Sequence, residues 1–368
     1  MLDRELKSEL LSWYAATSAR PGRELPWRGT RDPYAIWVSE TMLQQTRAAT
    51  AAPYWKRFLE AFPTVHSLAE AREDQVLALW SGLGYYRRAR MLHAAAQRVV
   101  GTHGGRLPEQ TSDLLALEGV GKYTAGAIAS IAFKVRAAAV DGNVARVLAR
   151  LFAIEDDVTG AGGSARVWAI AARLAAIDEG EPGDWTQALM DLGATVCLPR
   201  EPRCDLCPLR GHCRALAFGT VGDLPRKKVK RAATEVRSVA IVLASKAAIL
   251  LALRRTDKLF GGLWEVPQGH WTAGSLLGAM RALANRMGVA PGELSTRGEV
   301  THVLSHRKMR VTVFCGHLDG CRRFALPGPD YSAIERVPLS ELRKHTRPHA
   351  TLTRKLLDMA KVPCKRLR

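Results

Sequence analysis

The hydrophobic positions divide the chain into two parts with different periodicities. Up to about residue 215, apolar residues recur at three- and four-residue spacings, as in DQVLALWSGL, ARMLHAAAQRVV and ARVWAIAARLAAI. This is the spacing of helices that bury one face. Gly-rich stretches such as GTHGGRLPEQ and TGAGGS interrupt the pattern and separate one helix from the next. The N-terminal half is therefore predicted to be mainly α-helical.

Beyond residue 235 the pattern changes to short apolar runs that contain many β-branched residues. VRSVAIVLASKAAILLALRR predicts two strands about a short turn, and RKMRVTVFCGHL predicts another strand. A polar, basic stretch that contains Gly and Pro, GTVGDLPRKKVKRAAT, lies between the two patterns. We predict a helical domain over 1–225, a basic linker over 226–235 and a smaller α/β domain over 236–368.

The charge is distributed as unevenly as the periodicity. The net charge is +19, and residues 226–368 hold 28 Lys and Arg against 10 Asp and Glu, whereas residues 1–225 hold 26 against 25. A basic excess confined to one domain favours a polyanionic partner such as nucleic acid, although a generally basic proteome would also produce it. The N-terminus lacks the apolar core of a signal peptide, and no uncharged apolar run reaches membrane-spanning length. We expect a soluble, cytoplasmic protein without membrane association.

Four of the seven cysteines lie within CLPREPRCDLCPLRGHC, at Cys197, Cys204, Cys207 and Cys213. In a reducing compartment, such a group indicates a metal site rather than disulfides. Zinc favours two close cysteine pairs, and only one Cys-x2-Cys pair is present here. An iron–sulfur cluster accepts wider and less regular spacing. The spacing favours an iron–sulfur cluster and leaves zinc open.

Two carboxylates stand in contexts that suit catalysis. Glu40 lies among apolar residues in WVSETMLQQTRAAT, and burial of a glutamate raises its pKa toward that of a general acid at neutral pH. Asp141 and Asn143 directly precede a predicted helix in AAAVDGNVARVLARLF, where one of them can be the N-cap. Each residue has a structural explanation when taken alone, because an acid on a helix surface and a helix cap are both common.

Gly119 and Gly121 occupy a turn between two helical stretches in LEGVGKYTAGAIASIAF. Such a turn leaves backbone N–H groups free at the start of the second helix, where the helix dipole favours an anion such as a DNA phosphate. A tight helix–helix turn also needs glycine for steric reasons alone.

Taken together in this order, the motifs LPWR, SETMLQQT, GLGYYRRA, LEGVGKYTAG, VDGNVARV and the cysteine spacing closely resemble the MutY-type adenine DNA glycosylases. That family belongs to the helix–hairpin–helix, iron–sulfur glycosylase superfamily, which also contains endonuclease III. The resemblance is dense over 20–225 and looser beyond. It implies a six-helix barrel at about 28–135, a cluster module formed by 1–27 and 136–225, and a 4Fe–4S cluster on the four cysteines.

The resemblance also implies the reaction. The family removes adenine that is mispaired with 8-oxoguanine or guanine in double-stranded DNA, after flipping the adenine out of the duplex. Glu40 would protonate N7 of the adenine, and Asp141 would stabilise the oxocarbenium-like sugar or trap it covalently. Tyr123 stands where bifunctional members carry a lysine nucleophile, and Lys122 is expected to point in another direction. We therefore expect a monofunctional glycosylase, acting as a monomer, that leaves an abasic site.

Further residues match supporting positions of the family. Arg23 and Tyr123 match residues that orient the catalytic acid, and Asn143 matches one beside the aspartate. The positions that match the adenine pocket are Arg28, Trp27 and Gln187. The positions that match residues entering the base stack or contacting 8-oxoguanine are Gln45, Thr46, Leu83 and Tyr85. In the cysteine loop (197–213), the expected phosphate contacts are Arg200, Arg203 and Arg210.

The C-terminal domain resembles the Nudix-like domain with which this family recognises 8-oxoguanine, most clearly at GGLWEVPQG. The catalytic Nudix box is degenerate, since RALANRMG retains only Arg281 and Gly288, so we expect no nucleotide hydrolysis. The family's Phe-Ser-His loop becomes Leu304, Ser305 and His306, of which Ser305 and His306 would hydrogen-bond the lesion.

Two other functions are compatible with parts of this pattern. An endonuclease III-like glycosylase/lyase acting on oxidised pyrimidines is disfavoured by Tyr123 and by the additional C-terminal domain. A non-catalytic iron–sulfur protein that binds DNA or senses redox state is disfavoured by Glu40 and Asp141, which such a protein would not require.

Overall fold

The computed structural model describes residues 2–18, 25–226, 233–271, 274–304, 307–318, 324–325, 329–343 and 347–362. The chain divides into two compact units. The first comprises Met1–Glu70 and Met91–Lys230, and the second comprises Ala71–Arg90 and Arg231–Arg368. No signal in the sequence indicates that Ala71–Arg90 groups with the C-terminal residues. The division at 226–235 stays a prediction from the sequence.

Helices dominate the described residues up to 226, as the sequence predicts. They are α1 (Leu2–Ser18), α2 (Pro33–Leu43), α3 (Ala48–Ala61), α4 (Val65–Glu70), α5 (Glu73–Leu79), α6 (Arg87–His103), α7 (Thr111–Leu115), α8 (Lys122–Ile131), α9 (Gly142–Leu151), α10 (Ala161–Ala175), α11 (Pro182–Thr195) and α12 (Arg214–Ala217). Two short 3-10 helices, Cys204–Leu206 and Arg210–His212, lie in the cysteine loop.

Helix α2 is buried on all sides. It begins where Asp32 accepts a hydrogen bond from the backbone N–H of Tyr34 at 3.0 Å and Pro33 occupies the first helical position. Every residue from Tyr34 to Met42 is buried. A helix that is apolar on nearly all sides is expected in the interior of a domain. Glu40, the single acid of α2, is therefore buried together with most of the helix.

A core of the first unit is formed by α1, α9, α10 and α11. Its members include Leu10, Leu148, Leu174 and Leu192, each at most 1% exposed. Full burial of one such side chain stabilises the fold by about 1.5–3 kcal/mol. Cys197, Cys207 and Cys213 pack against the edge of this core, which positions most of the cysteine group beside α9 and α11.

The second unit is built on a mixed sheet. Its strands are β1 (Thr234–Ala244), β2 (Ala248–Arg254), β3 (Trp264–Glu265), β4 (Gln268–His270), β5 (Ser295–Val303), β6 (Arg307–His317) and β7 (Tyr331–Pro338). The order is β3-β2-β1-β6-β5, with β4 paired to β1 and β7 paired to β2. The strands predicted in 236–255 and 307–318 are confirmed. The central pair, β1 with β6, is parallel and runs from Thr234 opposite Arg307 to Ala244 opposite His317.

Alternate residues of β1 serve two separate cores, as the two-residue period of a strand requires. Ala240 and Val242 belong to the core that includes Leu352 and Leu356 of α15 (Thr351–Met359). Val239, Ile241 and Leu243 belong to the core that includes Leu283 of α13 (Leu276–Met287). Helices therefore cover both faces of the sheet, and a further short helix, α14 (Leu339–Arg343), follows β7.

Within the part of the chain that the structure describes, no helix combines the length and the apolar character needed to cross a membrane.

Candidate active site

A cavity in the first unit is lined by most of the predicted site residues. It holds about 2130 Å³, including the solvent-filled space at its mouth. The predicted site residues that line it are Trp27, Arg28, Glu40, Gln45, Thr46, Gly119, Gly121, Tyr123, Asp141, Asn143 and Gln187. Arg23, Ser305 and His306 lie outside the described residues. Leu83 and Tyr85 belong to the second unit.

Glu40 is the most deeply buried acid of this cavity, at 4% exposure. The hydroxyl of Tyr123, from the first turn of α8, donates a hydrogen bond to Glu40 Oε2. Burial raises the pKa of Glu40, while the Tyr123 hydrogen bond and the Arg28 charge oppose the rise and the Asp141 charge adds to it. The predicted upward shift is confirmed in direction, and Glu40 has the character of a group that can retain a proton for transfer.

Asp141 caps helix α9 with its own side chain. Its Oδ1 accepts hydrogen bonds from the backbone N–H groups of Asn143 at 2.9 Å and Val144 at 2.7 Å, and its Oδ2 accepts one from Asn143 Nδ2 at 3.2 Å. Burial raises the pKa of Asp141, and these N–H donors act in the opposite direction. Among the described residues, several N–H groups donate to the Asp141 carboxylate and the neutral Tyr123 hydroxyl donates to Glu40, so the two acids lie in different environments within one cavity.

Trp27 and Arg28 of the sequence motif LPWR also line the cavity. Arg28 Nη2 forms an ion pair with Asp191 Oδ1 of α11 at 2.5 Å, and Trp27 is 6% exposed with its ring edge toward Trp55 at a centroid distance of 6.1 Å. Asp191 follows Gln187 by four residues on α11, which puts both on one helix face toward the cavity. The role of Asp191 as the partner of Arg28 was missed, because 163 residues separate the pair.

Gln187 is 8% exposed and lines the cavity. Its side-chain amide makes no hydrogen bond to any other described residue. An amide carries both donors and acceptors, so this side chain can hydrogen-bond a polar ligand in the cavity.

The glycine turn has the geometry that its sequence predicts. Gly119 has a φ of +78°, which favours glycine, and Gly121 is the N-cap of α8. Lys122 and Tyr123 follow as the first residues of the helix, and both border the cavity. Lys122 is exposed, whereas the Tyr123 hydroxyl reaches Glu40, and the expectation that the two side chains point in different directions stays a prediction.

The turn after α2 also contributes to the cavity. Gln45 is exposed and has a φ of +58°, an uncommon value for a residue with a side chain. The preceding Gln44 donates from Nε2 to Thr124 Oγ1 at 3.2 Å, which fastens the turn to α8. Strained backbone of this kind collects at functional sites, where the surroundings hold it in place.

The four predicted metal ligands lie together around a second, smaller cavity of the first unit. Cys197, Cys204, Cys207 and Cys213 are all half-buried and free of disulfides. The pKa of Cys207 is raised to about 11, chiefly by burial and also by the charges of the other three cysteines, while a backbone hydrogen bond from Leu209 opposes the rise. Among the described residues, no set of three or more His, Cys, Asp or Glu converges closely enough to hold a single metal ion.

Two buried arginines of α9 connect the cysteine loop to its surroundings, and sequence analysis missed both. Arg150 Nη1 approaches Cys197 Sγ at 3.4 Å and donates to Leu198 O at 2.7 Å. Arg146 Nε donates to Cys197 O at 2.8 Å, and its Nη2 donates to Asn143 Oδ1 at 2.9 Å. Arg146 therefore lies between the cysteine loop and the residue that hydrogen-bonds Asp141.

Comparison with known proteins gives this geometry a context. Residues 38–163 match the HhH-GPD superfamily of base excision DNA repair proteins, and residues 238–359 match the NUDIX domain. The chain is 37% identical to the adenine DNA glycosylase of Homo sapiens over 372 residues, which cover 85% of this chain and 67% of that protein. It is 38% identical to the Rattus norvegicus adenine DNA glycosylase, over 85% of this chain and 70% of that one.

The chain belongs to the adenine DNA glycosylase family. It is a DNA glycosylase of base excision repair. The helical first unit is also similar to a solved thermostable thymine-DNA glycosylase, with 28% identity and a TM-score of 0.50 over 59% of this chain and 97% of that one. The predicted fold class, a helix–hairpin–helix glycosylase followed by a Nudix-like domain, is confirmed.

In this adenine DNA glycosylase family member, the Nudix-like helix α13 contains no acidic residue. Arg281 lies within it, and Gly288 ends it with a φ of +73°. The GGLWEVPQG segment contains one acid, Glu265, which is 1% exposed. Glu265 forms an ion pair with Arg254 at 3.0 Å and accepts a hydrogen bond from the Tyr331 hydroxyl at 2.7 Å. Burial raises the pKa of Glu265 to about 7. This arrangement offers no carboxylate set for a magnesium ion.

Proposed function

We propose that the chain excises adenine that is paired with 8-oxoguanine or with guanine, and leaves an abasic site without cutting the strand. The observation that carries this proposal is the meeting of Glu40, Tyr123 and Asp141 in one cavity, with the Tyr123 hydroxyl bound to the Glu40 carboxyl. Two carboxyls in unlike environments suit the division into proton donor and charge stabiliser that glycoside cleavage requires.

In the proposed reaction, the adenine leaves the base stack and enters the cavity. Glu40 donates its proton to N7 of the adenine, the C1′–N9 bond breaks, and its electron pair moves into the base, which departs as neutral adenine. The sugar is left with a positive charge shared between C1′ and the ring oxygen. Asp141, held by the N–H groups of α9, stabilises that charge through space or as a transient covalent bond until water adds to C1′.

The walls of the cavity suit adenine. Gln187 offers an unengaged amide to the base edge, and Trp27 provides an apolar surface. Arg28 is held by Asp191, and its positive charge opposes the rise in the pKa of Glu40. Asn143 fixes the orientation of the Asp141 carboxylate, and Arg23 would assist Glu40 as it does in the family.

Tyr123 supports a reaction without strand cleavage. A lyase step requires a neutral amine at this position to form a Schiff base with C1′, and a phenol cannot form one. The pKa of Tyr123 is raised well above its ordinary value, mainly by burial, so the hydroxyl keeps its proton and serves as a hydrogen-bond donor. Lys122 is exposed to solvent, and the group that donates to Glu40 is the Tyr123 hydroxyl.

Recognition of the base opposite the adenine is assigned to the second unit. Residues 226–368 carry an excess of 18 positive charges, which suits contact with the DNA backbone and predicts strong salt dependence of binding. Ser305 and His306 would hydrogen-bond 8-oxoguanine. The glycine turn at Gly119 and Gly121 presents backbone N–H groups to a phosphate, as the helix–hairpin–helix motif requires.

The cysteines suit a 4Fe–4S cluster better than a zinc ion. They surround a cavity rather than converging on one point, and each corner of a cluster needs one thiolate. Burial raises the pKa of Cys207 and of Cys213, so a metal group bound there would supply the positive charge that favours their thiolate forms. A bound cluster would supply structural order rather than acid–base chemistry, holding the exposed Arg200, Arg203 and Arg210 toward the DNA backbone.

One assay tests the proposal. Duplexes with adenine opposite 8-oxoguanine, guanine or thymine are incubated with the full-length chain under single-turnover conditions, and half of each sample receives alkali before electrophoresis. We expect strand breaks only after alkali, fastest opposite 8-oxoguanine and absent opposite thymine.

Other results of this assay favour other functions. Breaks without alkali would indicate a glycosylase/lyase. Binding without any break would indicate a protein that recognises DNA but does not excise bases, and either result would overturn the proposal.

A further inference from the structure

The loop at residues 80–86, which joins α5 to α6, has an unusual backbone. Gly82, Gly84 and Tyr85 have φ values of +98°, +80° and +50°, respectively. Such a value is strained for tyrosine, so it persists only where neighbouring groups enforce it. Tyr85 is nevertheless 47% exposed. The 80–86 loop thus presents an aromatic ring to solvent from a tightly determined backbone.

Part of the constraint comes from within the segment itself. Trp80 Nε1 and Arg88 Nη2 each donate to the carbonyl oxygen of Gly84 at 3.1 Å. The Arg88 guanidinium lies 5.4 Å from the ring centroids of both Trp80 and Tyr85, a cation–π distance. These contacts fix the position of the Tyr85 ring, and the exposed part of the ring can contact another molecule.

A further constraint comes from a residue far along the chain, His349. The Tyr86 hydroxyl accepts from the backbone N–H of Gly82 at 3.1 Å and donates to the His349 carbonyl at 2.6 Å. Ser81 Oγ donates to the same carbonyl at 2.9 Å and accepts from the His349 backbone N–H at 3.3 Å. Ser81, Tyr86 and His349 are each less than 9% exposed, so these bonds are shielded from water.

The His349 backbone is in turn joined to the Nudix-like sheet and to its last helix. Pro348 O accepts from the Trp264 backbone N–H at 2.8 Å, and the Arg347 guanidinium lies 4.6 Å from the Trp264 ring centroid. Ala350, the next residue, is the N-cap of α15. Ser81 and Tyr86 therefore attach the 80–86 loop to the framework of the unit to which lesion recognition is assigned.

We infer that Ser81 and Tyr86 are positioning residues for lesion selectivity, because they make the exposed Tyr85 ring part of the same body that recognises the opposite base. This inference rests on the proposed function. When that unit binds 8-oxoguanine, the Tyr85 ring is carried to a defined place in the DNA, and adenine extrusion is favoured. On a duplex with guanine, the unit binds less firmly and the constraint on Tyr85 matters less. The chemistry at Glu40 and Asp141 does not depend on these bonds.

The test is Tyr86→Phe, which removes the hydroxyl and keeps the ring. Single-turnover excision rates of the full chain are measured for adenine opposite 8-oxoguanine and opposite guanine. We expect the ratio of the two rates to fall about tenfold, because the loss of one shielded hydrogen bond has an effect of about this size. Most of the loss should be in the rate on the 8-oxoguanine duplex. Ser81→Ala should lower the ratio in the same direction by less, and the double variant should show less than the summed effect.

Tyr34→Phe is the matched control. Its hydroxyl is also buried, with the residue 5% exposed, and donates to a backbone carbonyl, that of Phe62, at 2.9 Å. It lies in the first unit, so the ratio should stay at the wild-type value. Melting temperatures of all variants show whether they fold, and Ser81→Ala provides the measurement if Tyr86→Phe does not.

A Tyr86→Phe variant that keeps the wild-type ratio, or that loses rate equally on both duplexes, would show that the bonds are merely structural and would overturn the inference. A wild-type chain that excises adenine without preferring 8-oxoguanine, or does not excise it at all, refutes the proposed function instead, and that failure is visible before any variant is made.

Discussion

The hydroxyl of Tyr123 donates a hydrogen bond to Oε2 of Glu40, although 83 residues separate the two in the sequence. This bond stabilises the carboxylate form and so opposes the rise in pKa that burial causes. Tyr123→Phe should therefore raise the pKa of Glu40 further. The active form of a general acid is protonated, so the basic limb of the pH–rate profile should move to higher pH.

The same variant should lose about 10- to 100-fold in excision rate at its optimum, as expected for one hydrogen bond to a charged group. The measurement is the single-turnover rate across the pH range, with Tyr34→Phe as the control that leaves the profile in place. A profile of Tyr123→Phe that does not move, or moves to lower pH, would contradict the described hydrogen bond.

Glu40→Gln should abolish catalysis and stabilise the fold. Loss of a general acid lowers the rate by about 10²- to 10⁴-fold. The stability effect follows from the raised pKa of Glu40: its contribution is fully present below the unfolded value of 4.5 and is lost as the pH rises through the folded value. Gln has no charge to bury, so the melting temperature of the variant should equal that of the wild type near pH 4 and exceed it at neutral pH.

The exposed Glu60 of α3 provides the comparison for this prediction. Glu60→Gln should leave the excision rate and the melting temperature at neutral pH close to those of the wild type. If Glu40→Gln melts below the wild type at neutral pH, Glu40 is not a buried acid that destabilises the fold.

Asp141→Asn should separate the charge of this residue from its role as a helix cap. Asn still accepts hydrogen bonds from the α9 backbone, and the two residues are about equally good N-caps, so the unfolding free energy should change little. The rate should fall by about 10²- to 10³-fold, because the charge opposite the oxocarbenium-like sugar is gone. Asp141→Ala should lose the same activity and, in addition, about 1 kcal/mol of stability.

Asp32→Asn is the matched control for this charge removal, because Asp32 is the side-chain N-cap of α2. It should leave excision unchanged. A wild-type single-turnover rate for Asp141→Asn would show that the carboxylate charge takes no part in the reaction.

Cys207→Ser should remove or weaken the metal site, and Cys315→Ser should not. Cys315 is also a half-buried free thiol, but it lies on β6 in the second unit. We expect the wild type and Cys315→Ser to contain iron, inorganic sulfide and broad visible absorbance, and Cys207→Ser to lose them together with part of its thermal stability. Stoichiometric zinc in a colourless protein would refute the iron–sulfur assignment.

Lys122→Ala tests whether the lysine at the cavity rim acts on the sugar. The wild type should form no stable adduct with substrate in the presence of borohydride, and Lys122→Ala should excise adenine at a rate within a few-fold of the wild type. An adduct that forms efficiently and disappears in Lys122→Ala would mean that the enzyme is bifunctional after all.

The parts of the site that were predictable from sequence are those set by local patterns. The apolar surroundings of Glu40 predict that it is buried, the position of Asp141 before a helix predicts that it can cap that helix, and the cysteine spacing predicts a shared site. In the structure Glu40 is buried, Asp141 caps α9 and the four cysteines line one cavity. Each follows from residues within a few positions of one another.

The features that escaped prediction depend on pairs distant in sequence. Arg28 forms a hydrogen bond with Asp191, and Arg146 forms hydrogen bonds with both Asn143 and Cys197. The local sequence around each of these residues gives no indication of these partners.

The grouping of Ala71–Arg90 with the C-terminal residues bears on the order in which the protein folds during synthesis. The parallel pair β1–β6 cannot form until residues 307–317 have been made, and His349, which fixes the 80–86 loop, comes later still. Domains generally fold as units as the chain emerges, so most of the first unit can assemble while that loop still lacks its partner. A nascent or truncated chain would thus hold Glu40 and Asp141 in place but leave Tyr85 unanchored. A segment that is synthesised well after the first unit therefore fixes the loop that we propose to contact the base stack.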